Sequence, residues 1–230
     1  MAVYNSLLQT SFSLIDQARL KAVVTRHVGD WFHAPLLTSI GLRLTDAVIL
    51  VATGYRLGTT ICQPNSCVCG AMVEARGLHG LACRKSAPCH VRHSQLNDVI
   101  WRNVEKTQTP ANKEPVGLSR ADGKRPNGAT LVPWTRGKPL AWDITDSDTY
   151  ATSHIPSTSV SACAAADKSA ANKTAKYATV TSIHLFVSIA VETSSAGAPS
   201  RRNSFRISVG ESLSSPASHW RQRVSFRGYQ

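Results

Sequence analysis

A polar stretch crowded with cysteine and histidine constrains the folding of this chain more than any other feature. Residues 62–93 hold five of the six cysteines and three of the eight histidines. Several glycines interrupt the stretch, and its apolar residues show little periodicity. A hydrophobic core cannot hold such a segment together, so we expect a bound metal to do so.

The ligand pattern within this stretch is Cys67-Val-Cys69, nine residues, His79, three residues, Cys83. Zinc takes four nitrogen or sulfur ligands in a tetrahedron, and a Cys₃His set is typical of a closed structural site. We therefore predict structural zinc on these four residues. A set of free cysteines beside a surface histidine is the open alternative, and further candidates leave the ligand choice open: Cys62, Cys89, His90 and His93.

The charge balance indicates the kind of partner. The 230 residues contain 26 Lys and Arg against 14 Asp and Glu, a net charge of +12. Hydrophobic residues make up 42%, which is enough for a folded chain. The basic excess favours a polyanionic partner such as DNA, with RNA as a second candidate. On charge alone, an acidic protein surface, a ribosomal or histone-like role and an accident of composition stay open.

Several classes of protein are excluded by the apolar runs. A membrane-spanning helix needs about 18 consecutive apolar residues, and the best runs here, 47–52 and 185–191, are far shorter. The N-terminus lacks the basic and apolar regions of a secretory signal. We therefore expect an intracellular protein with reduced thiols, no membrane partner and no small-molecule substrate.

Patterning predicts four segments along the chain. They are a helical segment over 1–58, a zinc module over 59–93, an α/β domain over 94–193, and a basic Ser/Arg-rich tail over 194–230 that we expect to be disordered. In the first segment, Thr45 is a predicted N-cap and Gly54 a predicted helix end.

The third segment carries the most regular pattern. Apolar residues recur at helical spacing from Leu96 to Val104, and Pro110 ends that run. A predicted turn at Arg136-Gly137 separates two strands, and an alanine-rich helix and a β-rich run follow. The predicted order is helix 96–104, strand 129–132, strand 140–145, helix 161–177 and strand 183–191. This order indicates an α/β fold with a small central sheet flanked by helices.

Acidic residues in the third segment offer one kind of chemistry. Glu114, Asp122 and Asp143 lie in or near the predicted strands. Acids on adjacent strands can converge on Mg²⁺, which lowers the pKa of a bound water and makes it a nucleophile for a phosphodiester. The bland alternative is that they are turn, cap and strand-end charges.

Short motifs in order along the chain carry a resemblance to a known family. The motifs are Leu42-Arg-Leu-Thr-Asp46, Tyr55-Arg-Leu-Gly58, Cys67-x-Cys69-Gly70, Gly77-Leu-His-Gly-Leu81, Arg92-His93, Asn97-Asp98, Lys113-Glu-Pro115, Gly123-Lys-Arg-Pro-Asn-Gly128, Pro133-Trp134, Gly137-Lys138 and Trp142-Asp-Ile-Thr145. In this order they resemble the C-terminal region of non-LTR retrotransposon polyproteins, including those called tick transposons, over about residues 18–193.

The resemblance implies a zinc-knuckle-like motif followed by a restriction-like endonuclease of the PD-(D/E)XK type, which nicks target DNA in the nucleus. It assigns the metal motif to the four Cys and His ligands named above. It makes Glu114 the helix-side acid, position 127 the acid of the Pro-Asp pair, and Asp143 the acid on the next strand. Lys124 and Arg125 would stabilise charge beside the scissile phosphate.

Two departures from the family pattern bear on catalysis. Asn127 stands where the family has aspartate, and the loss of one charged metal ligand should cost several kcal/mol of transition-state stabilisation. Thr145 stands where the motif has lysine, and Lys138 is the candidate substitute. The Ser/Arg-rich tail also departs from the family, which favours a decayed or truncated fragment.

These observations support two hypotheses from different classes and a third, bland one. The first is a DNA-binding, degenerate Mg²⁺-dependent endonuclease domain, part of a retrotransposon polyprotein. The second is a non-catalytic, zinc-stabilised nucleic-acid-binding protein in which the acids are surface residues. The third is a translated relic without a selected role.

Overall fold

The computed structural model describes residues 2–10, 13–26, 28–33, 44–83, 85, 87–120 and 122–194. Apart from Ser194, the predicted tail lies outside the described residues. In chain order the helices are α1 (Ala2–Thr10), α2 (Leu14–Val23), α3 (Asp46–Leu57), α4 (Leu78–Ala82), α5 (Ala87–Lys106), α6 (Ile155–Thr158) and α7 (Ala164–Lys176). The strands are β1 (Asn65–Ser66), β2 (Met72–Val73), β3 (Ala111–Lys113), β4 (Gly128–Thr130), β5 (Leu140–Ser147) and β6 (Leu185–Glu192).

The chain divides into two compact units, which are described one at a time. The first unit consists of the described residues within 1–91, 146–166 and 191–194. The second consists of the described residues within 92–145 and 167–190. No helix among the described residues is long and apolar enough to cross a membrane.

The first unit contains helices α1 to α4 and α6, with the two-stranded sheet of β1 and β2. The predicted N-cap is confirmed, because the Thr45 hydroxyl accepts a hydrogen bond from the Val48 amide at 3.3 Å. The predicted end at Gly54 is wrong. Helix α3 continues through Gly54, which is buried, to Leu57, and it ends at Gly58, whose φ of 72° favours glycine.

The second unit is built around the four-stranded sheet, whose strand order is β3-β4-β5-β6. Strands β3 and β4 are antiparallel with Lys113 opposite Gly128, and β4 and β5 are antiparallel with Gly128 opposite Trp142. Backbone hydrogen bonds join residue 185 to residue 139 at 2.8 Å and residue 193 to residue 147 at 3.1 Å. Because the partners advance together along both strands, β5 and β6 are parallel, and helix α7 makes the crossover that parallel strands need.

The two faces of β5 pack against different parts of the second unit. Leu140, Trp142 and Ile144 join one apolar cluster with residues of α5, whereas Ala141 joins another with Tyr177, which follows α7. This alternation is the period-two pattern of a strand buried on both faces. The structure therefore confirms a mixed α/β fold with a four-stranded sheet flanked by helices, and it adds the short strand β3 to the predicted order.

One close contact sets the spacing of β4 and β5. A Cβ atom at Gly128 would lie 2.0 Å from the ring of Trp142, so glycine is the residue that fits there. The Trp142 side chain is fully buried, and its indole N–H donates to the side-chain oxygen of Asn97 at 2.9 Å. Helix α5, β4 and β5 are thus joined by one packed and hydrogen-bonded contact.

A buried carboxylate fixes the beginning of α7 in the first unit. Glu192, at the end of β6, is 4% exposed, and its Oε1 atom accepts hydrogen bonds from the amides of Ala165 at 2.8 Å and Ala166 at 3.1 Å. These are amides of the first helical turn, which have no partner within the helix. The carboxylate also interacts favourably with the positive end of the helix dipole.

Candidate functional site

The predicted ligands of the Cys/His module lie together in the first unit. One sulfur or nitrogen atom from each of Cys67, Cys69, His79 and Cys83 lies within 4.8 Å of every other. The Cys67 and Cys83 sulfurs are 3.5 Å apart, and the Cys69 sulfur lies 3.1 Å from His79 Nε2. A tetrahedral ion with bonds of about 2.3 Å to sulfur and about 2.0 Å to nitrogen spaces such atoms about 3.5–3.8 Å apart. The four residues can hold a metal ion with little adjustment.

The local backbone explains how these side chains meet. The turn between β1 and β2 closes through hydrogen bonds from the Cys67 amide to the Ala71 carbonyl and from the Gly70 amide to the Cys67 carbonyl, both 2.8 Å. Gly70 has a φ of 90°, which favours glycine. His79 lies on α4 and Cys83 directly after it, four residues apart and therefore on the same side of the helix.

Glu74 helps to fix helix α4 relative to the hairpin. Its Oε1 atom accepts a hydrogen bond from the Leu78 amide, the first of α4, at 2.6 Å. The Tyr55 hydroxyl donates to the Gly77 carbonyl at 2.9 Å. The Arg76 guanidinium donates to both carboxylate oxygens of Asp16, at 3.0 and 3.2 Å. Side chains outside the four ligands therefore hold the short helix in place.

The cysteine ligands differ in their acidity. A hydrogen bond with the backbone of Ala71 lowers the pKa of the Cys69 thiol to about 6, together with contacts to the side chains of Cys67, His79 and Cys83. Thiolates rather than thiols bind metals. Cys69 is therefore prepared for coordination at neutral pH.

The further candidate ligands have other environments. The Cys62 sulfur lies 3.5 Å from the Glu74 carbonyl and 3.7 Å from the Ala75 carbonyl, and it does not belong to the metal-binding group. His93 is in the second unit, where its Nε2 atom lies 3.3 Å from the Ile144 carbonyl. The structure does not describe the side chain of Cys89.

The second candidate site lies where β4 begins. The Asn127 side-chain oxygen accepts a hydrogen bond from the Ile144 amide at 2.7 Å. The Asn127 carbonyl accepts two more, from the Glu114 amide at 2.9 Å and from the Asn97 side chain at 3.1 Å. Position 127 is therefore tied by hydrogen bonds to α5, to β5 and to the residue after β3.

Asp143 carries the buried charge of this site. Its residue is 2% exposed, and its carboxylate lies 2.6 Å from the ammonium group of Lys173 on α7. Burial raises the pKa of Asp143, although the charges of Lys173, Lys176 and His93 oppose the rise. Sequence reasoning missed Lys173, which supplies a cation next to Asp143, and its regular place in an alanine-rich helix gave no signal of that role.

Glu114 lies next to position 127, because its amide donates to the Asn127 carbonyl at 2.9 Å. It follows β3 with a φ of 48° and forms an ion pair with Arg125 at 2.6 Å. Both residues border an open depression of about 440 Å³ whose remaining lining residues are His93, Ser94, Asn97, Asp98, Lys113 and Asn127. Asp143 instead contacts Lys173 of α7.

The two lysines predicted for the catalytic site, Lys138 and Lys124, make different contacts. Lys138 donates a hydrogen bond to the Thr181 carbonyl at 2.9 Å, so the structure does not place it beside Asp143. The Lys124 amide donates to the Asp122 carboxylate at 3.2 Å, and the Lys124 side chain is exposed.

With asparagine at position 127, the contacts of these residues give no support to a Mg²⁺ site. Each candidate ligand is engaged within the protein: Glu114 with Arg125, Asn127 with the Ile144 amide, and Asp143 with Lys173. Within the described part of the chain, the only Cys, His, Asp and Glu side chains that gather at metal-binding distances are those of the Cys₃His group.

Comparison with known proteins does not place the chain in a family. No protein-family model, curated protein or solved structure matches it.

The metal group can be tested with cobalt, whose absorption reports tetrahedral thiolate coordination. We expect metal-stripped protein to bind one equivalent of Co²⁺ with a tetrahedral spectrum, and the Cys69→Ser variant to lose that spectrum. Cys62→Ser is the matched control and should retain it, because Cys62 contacts backbone carbonyls. Equal loss in both variants, or none in either, would contradict this ligand assignment.

The Asp143–Lys173 ion pair makes a prediction about pH. The pKa of Asp143 in the folded protein is raised above 3.8, so its contribution to stability falls as the pH rises through that folded pKa. Lys173→Met removes the nearest opposite charge and raises that pKa further. We expect it to lower the free energy of unfolding by about 2 kcal/mol at pH 8, less than for a fully buried pair because Lys173 is 27% exposed.

The loss should be clearly smaller at pH 4.5, where more of Asp143 is protonated. Urea unfolding at both pH values measures it, and Lys168→Met, on an exposed part of the same helix, is the control. Adding Asp143→Asn should remove the pH dependence of the Lys173→Met effect. An effect of the same size at both pH values would show that Lys173 acts by packing and not by charge.

Proposed function

We propose that this chain is a DNA-binding module of restriction-like endonuclease descent, part of a non-LTR retrotransposon polyprotein, and that Asn127 leaves it able to bind DNA but not to cut it. The observation that carries the proposal is the order α5-β3-β4-β5-α7-β6, with position 127 directly before β4, position 143 on the adjacent strand β5, and a hydrogen bond from the Ile144 amide to Asn127. This order agrees with the PD-(D/E)XK fold that the sequence resemblance implies. DNA as partner and a nuclear location follow from the proposal.

We further propose zinc as the ion of the Cys₃His group. Three thiolates and an imidazole form the closed donor set typical of structural zinc. The hairpin of β1 and β2 has two residues in each strand, and α4 has five, so their own backbone bonds stabilise them little. Zinc, when bound, would link the turn of the hairpin, which carries Cys67 and Cys69, to helix α4 and the residue after it, which supply His79 and Cys83.

The internal contacts of position 127 support binding without cleavage. The Asn127 oxygen already accepts the Ile144 amide proton, and an amide brings no negative charge to hold a metal ion. Aspartate at this position could keep that hydrogen bond with one oxygen and offer the second to a metal. The net charge of +12 supports binding to a polyanion that does not depend on cleavage.

A second candidate is a non-catalytic, zinc-stabilised nucleic-acid-binding protein without nuclease descent. The observation that favours it is that both remaining acids are neutralised within the protein, Asp143 by Lys173 and Glu114 by Arg125. In that case the carboxylates stabilise the fold, and restoring aspartate at position 127 has no catalytic consequence.

Nicking of supercoiled plasmid with and without added Mg²⁺ separates the two candidates. We expect no nicking by the unaltered protein and Mg²⁺-dependent nicking by Asn127→Asp. Asn112→Asp, an exposed position on β3, is the matched control for added charge and should not nick. Adding Asp143→Asn to Asn127→Asp should abolish the activity.

Two results would contradict the proposal. Nicking by the unaltered protein at the rate of Asn127→Asp would show that Asn127 does not disarm the site. No nicking by Asn127→Asp, in protein that holds its metal and melts cooperatively, would reject the nuclease descent and favour the second candidate.

A further inference from the structure

A group of positively charged side chains lies around the last turn of α7 in the second unit, where Lys173 pairs with Asp143. We call Arg120, Lys124, Lys173 and Lys176 the basic cluster. The loop that carries the first two is closed by hydrogen bonds from the Arg120 amide to the Lys124 carbonyl and from the Gly123 amide to the Arg120 carbonyl, both 2.9 Å. These bonds hold the backbone of Arg120 close to that of Gly123 and Lys124.

The loop and the end of α7 are held together around one aromatic ring. The Arg120 guanidinium donates a hydrogen bond to the Lys176 carbonyl and lies 5.9 Å from the centre of the Tyr177 ring. The Lys176 ammonium lies 4.7 Å from the same ring centre. The Tyr177 hydroxyl donates to the Arg125 carbonyl at 2.8 Å, which fixes the ring.

The cluster has more positive than negative charge. Its four cations face two carboxylates: Asp143, which lies against Lys173, and Asp122, which is 3.4 Å from the Arg120 guanidinium. Burial is the main cause that lowers the pKa of Lys176; the charges of Lys173 and Lys124 lower it as well, and the carboxylates of Asp143 and Asp122 oppose the change. The ammonium groups thus add like-charge repulsion that the two carboxylates partly offset. An anion placed over the cluster would relieve that repulsion.

The helix dipole explains only part of this arrangement. Lys173 and Lys176 lie in the last turn of α7, where lysines interact favourably with the helix dipole. Arg120 and Lys124 come from a different segment. Arg120 also interacts with the last carbonyl of α7, whereas the backbone hydrogen bonds of Lys124 lie within its own loop. Convergence of cations from two segments is the arrangement that grips phosphate.

We propose that the basic cluster binds the phosphodiester backbone of double-stranded DNA and holds it over Asp143, the identity of the polyanion resting on the proposed function. The cluster lies next to the strand end that carries position 127, because Asp143 contacts Lys173 and precedes Ile144, the hydrogen-bond partner of Asn127. A DNA backbone bound there would lie next to positions 127 and 143, where an active nuclease of this kind would cut it.

The test is the salt dependence of binding to a fluorescent 20-base-pair duplex without Mg²⁺, measured by anisotropy between 50 and 200 mM KCl. Each lost phosphate contact makes the slope of log affinity against log salt less steep by about 0.9. We expect the Lys124→Gln/Lys176→Gln double variant to lower the slope by about 1.8. Arg102→Gln/Lys106→Gln, which removes the same charge from α5, should leave it almost unchanged.

If Lys176→Gln lowers the melting temperature, Lys124→Gln alone tests the proposal, because the Lys124 side chain is exposed. The slope of log affinity against log salt should then change by about 0.9. Equal changes in the cluster and control variants would overturn the proposal and indicate diffuse attraction. Absence of any DNA binding by the unaltered protein would overturn both this proposal and the proposed function, whereas binding that ignores the cluster would overturn this proposal alone.

Inorganic phosphate distinguishes a backbone site from a site for a small anion. At constant ionic strength, we expect millimolar phosphate to displace DNA no better than chloride does. Displacement by phosphate that disappears in Lys124→Gln/Lys176→Gln would assign the cluster to a free phosphate group and overturn the backbone assignment.

Discussion

The second unit depends on the hydrogen bond between the Ile144 amide and the side chain of Asn127. Residue 126 is proline, which has no amide proton to donate to a continued antiparallel ladder. At this end of the ladder the Ile144 amide donates to the Asn127 side-chain oxygen at 2.7 Å. Because Gly128 lets Trp142 pack at close range and Asn97 binds both Trp142 and Asn127, this strand end is fixed from three directions.

The same bond determines the chemistry that this site can support. A side-chain oxygen that accepts a hydrogen bond from a backbone amide stabilises a strand, whereas a negatively charged oxygen that faces outward can bind a metal ion. Asn127 has one side-chain oxygen, and that oxygen accepts the hydrogen bond from the Ile144 amide. Asp143 is likewise paired, with Lys173. Both side chains are therefore engaged within the protein, and the nearby cations support the phosphate binding that we propose.

Sequence patterning predicted the elements that depend on local signals. The N-cap at Thr45, the turn at Arg136-Gly137 and the helices and strands of the second unit all appear, with bounds shifted by a few residues, and α5 also begins nine residues before the predicted start. The metal-binding group was also predictable, because the chemistry of thiolate and imidazole ligands depends on residue type and close spacing. Gly54 misled the prediction, since burial inside α3 rather than a helix end explains that glycine.

Other features depend on contacts between distant residues and could not be predicted from pattern. Strand β3 has three residues, Ala-Asn-Lys, and forms because β4 lies beside it. Lys173 meets Asp143 across 30 positions of sequence, and nothing in its local pattern identifies that contact. The hydrogen bond of the Asn127 side chain depends on the position of β5. A comparison of residue types at position 127 can therefore show that a negative charge is lost, but not that the asparagine side chain holds β5.

Amide hydrogen exchange at Ile144 tests the structural role of Asn127 most directly. In the unaltered protein the Ile144 amide should be protected. Asn127→Ala should speed its exchange about five- to tenfold, as expected for the loss of about 1 kcal/mol of hydrogen bonding, while the Val104 amide in α5 serves as the internal reference. Asn127→Asp should keep the protection. Unchanged exchange at Ile144 in Asn127→Ala would contradict the account, because position 127 would then not be holding β5.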